Sequence, residues 1–266
     1  MNRSALQLGL PLDARARTAA LWAALLGAAA IAWALTIQTS LGMSTDPGTM
    51  GRGLGGFVGM WTLMMAAMML PSVAPVASVY LRTIRSSTAG VVGGLRGGSF
   101  LAGYLGIWAC FGIVAFVVAW AGGRLASEAP GVAPWVGSVV LAAAGIYQLT
   151  PLKDRCLAHC RSPLGFLLHF GSYSGRLRDL RVGAYHGGYC VGCCWGLMVV
   201  LIAVGLANVA WMAGLAAVIF LEKTWRYGKA LSIAFGIALV VLAFFVPSHT
   251  GIVPGLHMSA DSGGMT

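Results

Sequence analysis

Long apolar runs separated by short basic or glycine-rich stretches are the feature that most constrains this chain. Seven runs are long enough, or nearly so, to span a hydrocarbon core of about 30 Å. They lie at residues 19–37, 57–81, 99–121, 132–150, 188–206, 208–221 and 229–247. Only 9% of the residues are charged, whereas about 25% are charged in a typical soluble domain. The sequence therefore predicts an all-α fold, a polytopic helical membrane bundle with about seven transmembrane helices.

Two of these runs leave alternatives open. The run 208–221 is short and is separated from 188–206 only by Ala207 and Asn208, so the two are either full spans or a re-entrant hairpin. The first run, 19–37, is longer than the apolar core of a signal peptide and lacks a small-residue cleavage site after it, so we interpret it as a retained helix.

The positions of the basic residues predict the topology. With the N-terminus inside, fifteen of the seventeen Lys and Arg residues lie in cytoplasmic segments, and only Arg52 and Arg124 lie outside. This asymmetry favours a cytoplasmic N-terminus and an external C-terminus. We expect one transmembrane domain over 1–266, with a cytoplasmic Cys/His-containing loop at 151–187 and a flexible external tail at 248–266. Because the basic residues mark topology in a lipid bilayer, no nucleic-acid partner is predicted.

A histidine and three cysteines recur at helical spacing near the start of the fifth apolar run. Cys190, Cys193 and Cys194 follow His186 by four, seven and eight residues. If a helix begins near Tyr185, these four side chains fall on one face over two turns, unless nearby glycines interrupt it. Three thiolates and an imidazole are a competent ligand set for Zn(II), and two or three thiolates suit Cu(I).

Two further cysteines, Cys156 and Cys160, are one helical turn apart on the other side of the same polar stretch. A chain that folds back between the groups brings all five thiols together, and Arg155 and Arg161 favour their ionised form. The reducing cytoplasm disfavours disulfides, so the pattern predicts metal or redox chemistry. Apolar packing is the alternative interpretation, and we adopt it for the isolated Cys110.

Methionines are concentrated in the second apolar run. Met60, Met64 and Met68 recur every four residues as one helical stripe, with Met65 and Met69 beside it. Thioethers are soft, neutral ligands, so the stripe predicts a Cu(I) path that buries no charge. Gap-filling by methionine in an apolar helix is the alternative interpretation.

Three polar side chains within or at the ends of apolar runs are candidate pathway residues, namely Gln148, Asn208 and Glu222. Such groups line a path or hold helices together. For Glu222, which precedes Lys223, an interfacial helix end is the alternative to a proton carrier. Four histidines are candidate accessory ligands: His159, His169, His249 and His257. The alternative interpretation is that they are solvated residues of a loop or tail.

Several familiar reaction signatures are missing from the sequence. It contains no nucleotide-binding glycine loop, no phosphorylated-aspartate motif, no His-Glu-x-x-His, no haem-attachment motif and no serine hydrolase elbow. We therefore assign no catalytic residue and favour a protein that is not an enzyme. Any transport would be passive, ion-coupled or dependent on a partner.

Four segments between about residues 57 and 230 carry a family likeness: Met60-Trp61 to Pro71, Tyr147-Gln148 to Cys160, His186 to Trp195, and Asn208 to Lys223. The specific part is Gly-x-Cys-x-Gly-Cys-Cys-Trp, which ends at Trp195. In these segments the chain resembles an uncharacterised bacterial family described as predicted metal-binding integral membrane proteins. The resemblance implies metal binding and a helical membrane fold, and we expect a multi-pass protein of the bacterial cytoplasmic (inner) membrane.

Three functions are compatible with these residues. The first is a membrane protein that binds a soft metal ion, Cu(I) in preference to Zn(II), for transport or for hand-over to a cytoplasmic acceptor. The second is a membrane thiol–disulfide or metal-dependent oxidoreductase. The third is a non-catalytic assembly factor that holds a metal for a membrane partner protein.

Overall fold

The computed structural model describes residues 12–41, 48–85, 91–162, 175 and 177–256. Within these residues the chain forms eight α-helices and no strand. The helices are α1 Leu12–Leu41, α2 Leu54–Arg85, α3 Val91–Glu128, α4 Ala133–Gln148, α5 Pro151–Arg161, α6 Arg178–Ala203, α7 Val209–Thr224 and α8 Gly228–Phe245. Each of the seven predicted apolar runs contributes one helix, which confirms the all-α class. The segment predicted as a cytoplasmic loop contains α5 and the start of α6.

Five helices, α1, α2, α3, α6 and α8, are long and apolar enough to cross a membrane. The other two helices from the predicted runs, α4 and α7, have 16 residues each, whereas a typical span needs about 20. α4 and α5 together form a pair bent by 61°, which is either a broken span or a re-entrant loop. The count of seven spans and the orientation of the termini stay predictions.

α2 and α6 are the central helices of the bundle. In their most apolar windows 67% of the residues are buried, against 22% for α1 and 28% for α3 and α8. Large apolar side chains of the outer helices, such as Ile31, Val117 and Phe244, are exposed. The predicted methionine stripe lies on α2, and Cys190, Cys193 and Cys194 lie on α6. Both groups are therefore on the two most enclosed helices.

α3 and α6 cross with their backbones in contact. A Cβ added at Gly183 would lie 1.9 Å from the carbonyl oxygen of Phe100, and one at Gly103 would lie 2.1 Å from that of Leu180. Small residues allow helices in membranes to approach this closely. The crossing fixes the first half of α6, which carries His186, against α3.

The corner between α4 and α5 follows from a Thr-Pro pair. Thr150 is extended, with φ −80° and ψ 147°, because the following Pro151 disfavours the helical conformation in the residue before it. The Thr150 hydroxyl accepts a hydrogen bond from the backbone N–H of Lys153 at 3.3 Å and so caps α5. The corner turns α5 towards α6.

The end of the described chain packs into the bundle. Two 3-10 turns, Thr250–Ile252 and Pro254–Leu256, follow α8, and Val253 between them is fully buried. The second turn contacts α3, α4 and α6. The two turns form the first part of the segment predicted as an external tail. Its residues 257–266, including His257, lie outside the described residues, as does His169 of the predicted loop.

Candidate metal centre

Three cysteine thiols of α6 converge inside the bundle. The sulfur atoms of Cys190, Cys193 and Cys194 lie within 4.8 Å of one another, and those of Cys193 and Cys194 are 3.2 Å apart. All three side chains are buried. The helix that carries them begins at Arg178 and not near Tyr185, and it runs through its glycines without a break. The predicted helical face is therefore present, on a longer helix than expected.

His186, the imidazole of the same predicted ligand set, is also buried. The centroid of its ring lies 5.9 Å from that of Tyr104 and 6.4 Å from that of Phe100. Both aromatic residues belong to α3, and the close α3–α6 crossing brings them to this side of α6. A role of His186 as a metal ligand stays a prediction.

α5 brings the other predicted cysteine pair to α6. The sulfur of Cys160 lies 3.9 Å from that of Cys193. Because a metal–thiolate bond is about 2.3 Å long, two ligating sulfurs can lie up to about 4.6 Å apart, so these two can share one ion. Cys156 is half-buried one turn away and packs against Gly192, where an added Cβ would lie 3.0 Å from its sulfur. The fold-back between the two groups is present.

The surroundings of Cys156 differ from those predicted. Burial raises the pKa of its thiol, which favours the neutral form. The Arg155 side chain is exposed, and the Arg161 guanidinium donates a hydrogen bond to the carbonyl oxygen of Trp225 at 2.6 Å. The prediction that these arginines keep the Cys156 thiol ionised is therefore wrong.

Two side chains that the sequence analysis did not select contact the sulfur of Cys190. The ammonium of Lys223 lies 3.0 Å from this sulfur, and the hydroxyl of Tyr104 also lies 3.0 Å from it. Lys223 is 9% exposed and donates a second hydrogen bond to the Ser72 hydroxyl at 3.3 Å. A buried ammonium needs an anion or strong acceptors around it, so Lys223 complements the thiolate form of Cys190.

A second buried lysine forms an ion pair beside the thiols. The Nζ of Lys153 lies 2.9 Å and 2.8 Å from the two carboxylate oxygens of Glu222, and it also donates to the amide oxygen of Gln148. Lys153 is 0% and Glu222 1% exposed. Glu222 thus joins helices from the last turn of α7, and its position relative to a membrane interface stays a prediction. Two of the three candidate pathway residues, Gln148 and Glu222, meet at this pair.

Asn208, the third candidate pathway residue, lies away from this pair and caps α7. Its side-chain oxygen accepts a hydrogen bond from the backbone N–H of Trp211 at 3.2 Å, which is the usual role of asparagine at a helix start. This contact explains why α7 begins there. A pathway role for Asn208 stays a prediction.

The five methionines of α2 are buried in the centre of the bundle. The exposed fraction of each side chain is 8% or less. The five residues are Met60, Met64, Met65, Met68 and Met69. Ser72 lies one helical turn after Met68, and its hydroxyl accepts the hydrogen bond from Lys223. The stripe therefore ends one turn before a residue that is linked to the thiols.

Contacts between α2 and α6 show where the stripe lies along the bundle. The hydroxyl of Tyr80 donates to the carboxylate of Asp179 at 2.6 Å, whereas Ser72 is joined through Lys223 to Cys190. The two helices thus run antiparallel. The methionines, which precede Ser72 in α2, lie level with the part of α6 that follows Cys190.

The donor set fits a soft metal ion. All six cysteines are free thiols, and the α6 thiols are the one cluster of three potential ligands within the part of the chain that the structure describes. Thiolates are preferred ligands of both Cu(I) and Zn(II). The geometry of the three α6 thiols therefore accommodates either ion, and Cys160 adjoins them through its contact with Cys193.

The chain matches a known protein family. Residues 58–246 match the family described as PpoB2: Copper chaperone. The match includes nearly all of α2 and every later helix, and with them all the thiols and methionines described above. No curated protein and no solved structure matches the chain.

Proposed function

Because the chain belongs to the PpoB2 copper chaperone family, we propose that it binds Cu(I) on buried thiols within a membrane and hands the ion on at the cytoplasmic face. The observation that carries the proposal is the convergence of the sulfurs of Cys190, Cys193 and Cys194 on α6. The sulfur of Cys160 on α5, 3.9 Å from that of Cys193, is the further ligand that we propose. Cysteines used only for packing have no need to bring their sulfurs together.

The charge of the site is compatible with Cu(I). Two thiolates around Cu(I) leave a net charge of −1, and the buried ammonium of Lys223 at the sulfur of Cys190 balances that charge. An unbalanced charge in a buried site is costly. The neighbouring pair of Lys153 and Glu222 is neutral as a whole and leaves this balance unchanged.

The methionine stripe supplies a route to the thiols. Its thioethers are buried along α2, level with the part of α6 that follows Cys190. In the predicted topology this side faces outwards, so Cu(I) would pass from Met60, Met64 and Met68 to the cysteines and then to a cytoplasmic acceptor. Neutral soft ligands suit a monovalent soft ion in an apolar setting.

Elemental analysis of the purified protein tests the proposal. The wild type should hold close to one copper per chain, and replacement of Cys190, Cys193 and Cys194 by serine should remove it. A Cys110→Ser variant is the matched control, because Cys110 is exposed on α3 and should keep the copper. Copper that survives the triple replacement would overturn the assignment of the site.

The same preparation separates the other two functions. Metal-free protein whose Cys160 and Cys193 cycle between thiol and disulfide with a quinone or thioredoxin would identify an oxidoreductase in place of a copper carrier. Bound copper, together with an unchanged copper content in cells that lack the protein, would identify an assembly factor that holds the ion for a partner.

A further inference from the structure

The structure assigns a positioning role to the ion pair of Lys153 and Glu222: it holds the thiol of Cys160 in the metal centre. This inference rests on the proposed function, because it concerns a sulfur of the proposed copper site. The hydrogen bonds of Lys153 go to Glu222 and Gln148 and not to a thiol. Both residues of the pair act through the placement of α5.

The pair satisfies the lysine completely. An ammonium has three N–H donors, and Lys153 directs them to the two carboxylate oxygens of Glu222 and to the amide oxygen of Gln148. Both partners of the pair are shielded from solvent. A buried ion pair adds little stability compared with well-packed apolar residues, and its best-supported use is to select one register between elements.

The face of α5 that carries the pair also carries the thiols. Cys156 and Cys160 follow Lys153 by three and seven residues, so all three side chains lie on one side of the helix. Lys153 and Cys160 are buried on that side together with Leu157. An anchor at Lys153 therefore fixes both the rotation of α5 and its position along α6, and these two quantities decide whether the sulfur of Cys160 meets Cys193.

The other half of the pair is joined to the same site by the next residue. Glu222 and Lys223 are neighbours at the end of α7. Glu222 binds α5 through Lys153, while Lys223 lies 3.0 Å from the sulfur of Cys190 on α6. The last turn of α7 thus holds both thiol-bearing helices. Loss of the pair frees α5 while leaving Lys223 at α6.

Loss of the ion pair should displace Cys160 and leave the thiols of α6 in place. Removing one partner leaves the other charge buried without compensation, Lys153 on α5 or Glu222 on α7, and the chain relieves it by moving these two helix ends apart so that the charge reaches water. Cys160 then leaves Cys193, whereas the three thiols of α6 stay together because they share one helix. The copper centre should lose one sulfur ligand and keep the others.

Disulfide crosslinking in native membranes measures this placement directly. In a chain whose other cysteines are replaced by serine, diamide should oxidise Cys160 and Cys193 to a disulfide. The test variants are Lys153→Met and Glu222→Gln, with the exchanged pair Lys153→Glu plus Glu222→Lys as the rescue. The matched control is Asp154→Asn, which removes the neighbouring, exposed ion pair with Lys229.

We expect the single variants to slow crosslinking roughly tenfold or more, because breaking a buried pair leaves an uncompensated charge. The exchanged pair should restore the rate, and Asp154→Asn should leave it unchanged. Rates unchanged in the single variants, or equally slow in the exchanged pair, would overturn the inference. If the single variants fail to accumulate in membranes, the exchanged pair decides alone. A crosslinking rate like that of the wild type would support the inference, and a slow rate would overturn it.

X-ray absorption at the copper edge gives a second measurement on the otherwise intact chain. The single variants should show one sulfur fewer around copper than the wild type and the Asp154→Asn control. A wild type without copper would overturn the proposed function and leave the crosslinking result standing on its own. Bound copper with an unchanged sulfur number in Lys153→Met would overturn the positioning role alone.

Discussion

The ammonium nitrogen of Lys223 lies 3.0 Å from the sulfur of Cys190, and both side chains are buried. The contact joins α7 to α6 and gives the thiol site a fixed positive charge before any metal arrives. A lysine placed in this way favours the thiolate, which is the form that binds metal. The cation is therefore part of the proposed copper site.

The charge of Lys223 can be tested separately from its bulk. Lys223→Met keeps a long side chain and removes the charge, so copper affinity should fall by about 10- to 100-fold, the range expected for the loss of a charge-assisted hydrogen bond. Competition with a Cu(I) chelator measures the affinity. Lys229→Met is the control, because Lys229 is exposed and pairs with Asp154. Equal affinities in both variants would show that the charge of Lys223 does not contribute.

The backbone contact between α3 and α6 predicts opposite effects at two glycines of one helix. Gly183→Ala places a Cβ 1.9 Å from the carbonyl oxygen of Phe100, and overpacking of this kind costs about 1–3 kcal/mol. Gly188→Ala meets nothing within 4 Å and should stabilise the helix by up to about 1 kcal/mol. Denaturant unfolding in detergent micelles measures both changes. A similar stability for the two variants would contradict the close crossing.

The methionine stripe can be replaced without changing its volume. Leucine in place of Met60, Met64 and Met68 preserves packing to within about 1.5 kcal/mol per site but removes the thioether sulfurs. We expect slower copper entry into proteoliposomes and unchanged copper binding to the detergent-solubilised protein, because the thiols remain. Met198→Leu on α6 is the control, since that side chain is equally buried. Unchanged entry in the triple variant would leave the methionines a packing role only.

Asn208 distinguishes a helix cap from a pathway residue. Asn208→Ala should lower the free energy of unfolding by about 1 kcal/mol, because the Trp211 N–H loses its side-chain acceptor, whereas Asn208→Asp retains the cap. We expect the rate of copper entry to fall only in the variant whose free energy of unfolding falls. A loss of entry in the stable aspartate variant would support the pathway role.

The predicted topology places Ser162, just after α5, in the cytoplasm and Ser127, near the end of α3, outside. Both side chains are exposed. In a chain whose native cysteines are replaced by serine, a membrane-impermeant thiol reagent added to intact cells should label Ser127→Cys rapidly. Ser162→Cys should react only after the cells are opened. The reverse order would overturn the orientation.

Local spacing was enough to predict each thiol group. The four-residue step between Cys156 and Cys160, and the steps from Cys190 to Cys193 and Cys194, depend only on helical periodicity, and both segments are helical. The contact between Cys160 and Cys193 depends on the corner at Thr150 and on the connection between α5 and α6. Local patterns do not specify how such a connection is routed.

The buried charge pairs could not be predicted from the sequence for a related reason. Lys153 and Glu222 are 69 residues apart, and each lies at the end of an apolar run, where charged residues usually mark topology. The same holds for Lys223, whose partner Cys190 is on another helix. A useful signal was present in part: Gln148, a polar residue at the end of an apolar run, lies five residues before Lys153 and binds it.

The α3–α6 crossing has a consequence for how quickly copper can be exchanged. With the two backbones in contact at Gly183, the sulfurs of α6 form a stationary half of the site, whereas α5 meets them through side chains. In the proposed function, an acceptor thiol would then replace Cys160 while the other sulfurs still hold the ion. Such a geometry favours associative substitution, in which copper passes from sulfur to sulfur and is never released as a free ion in water.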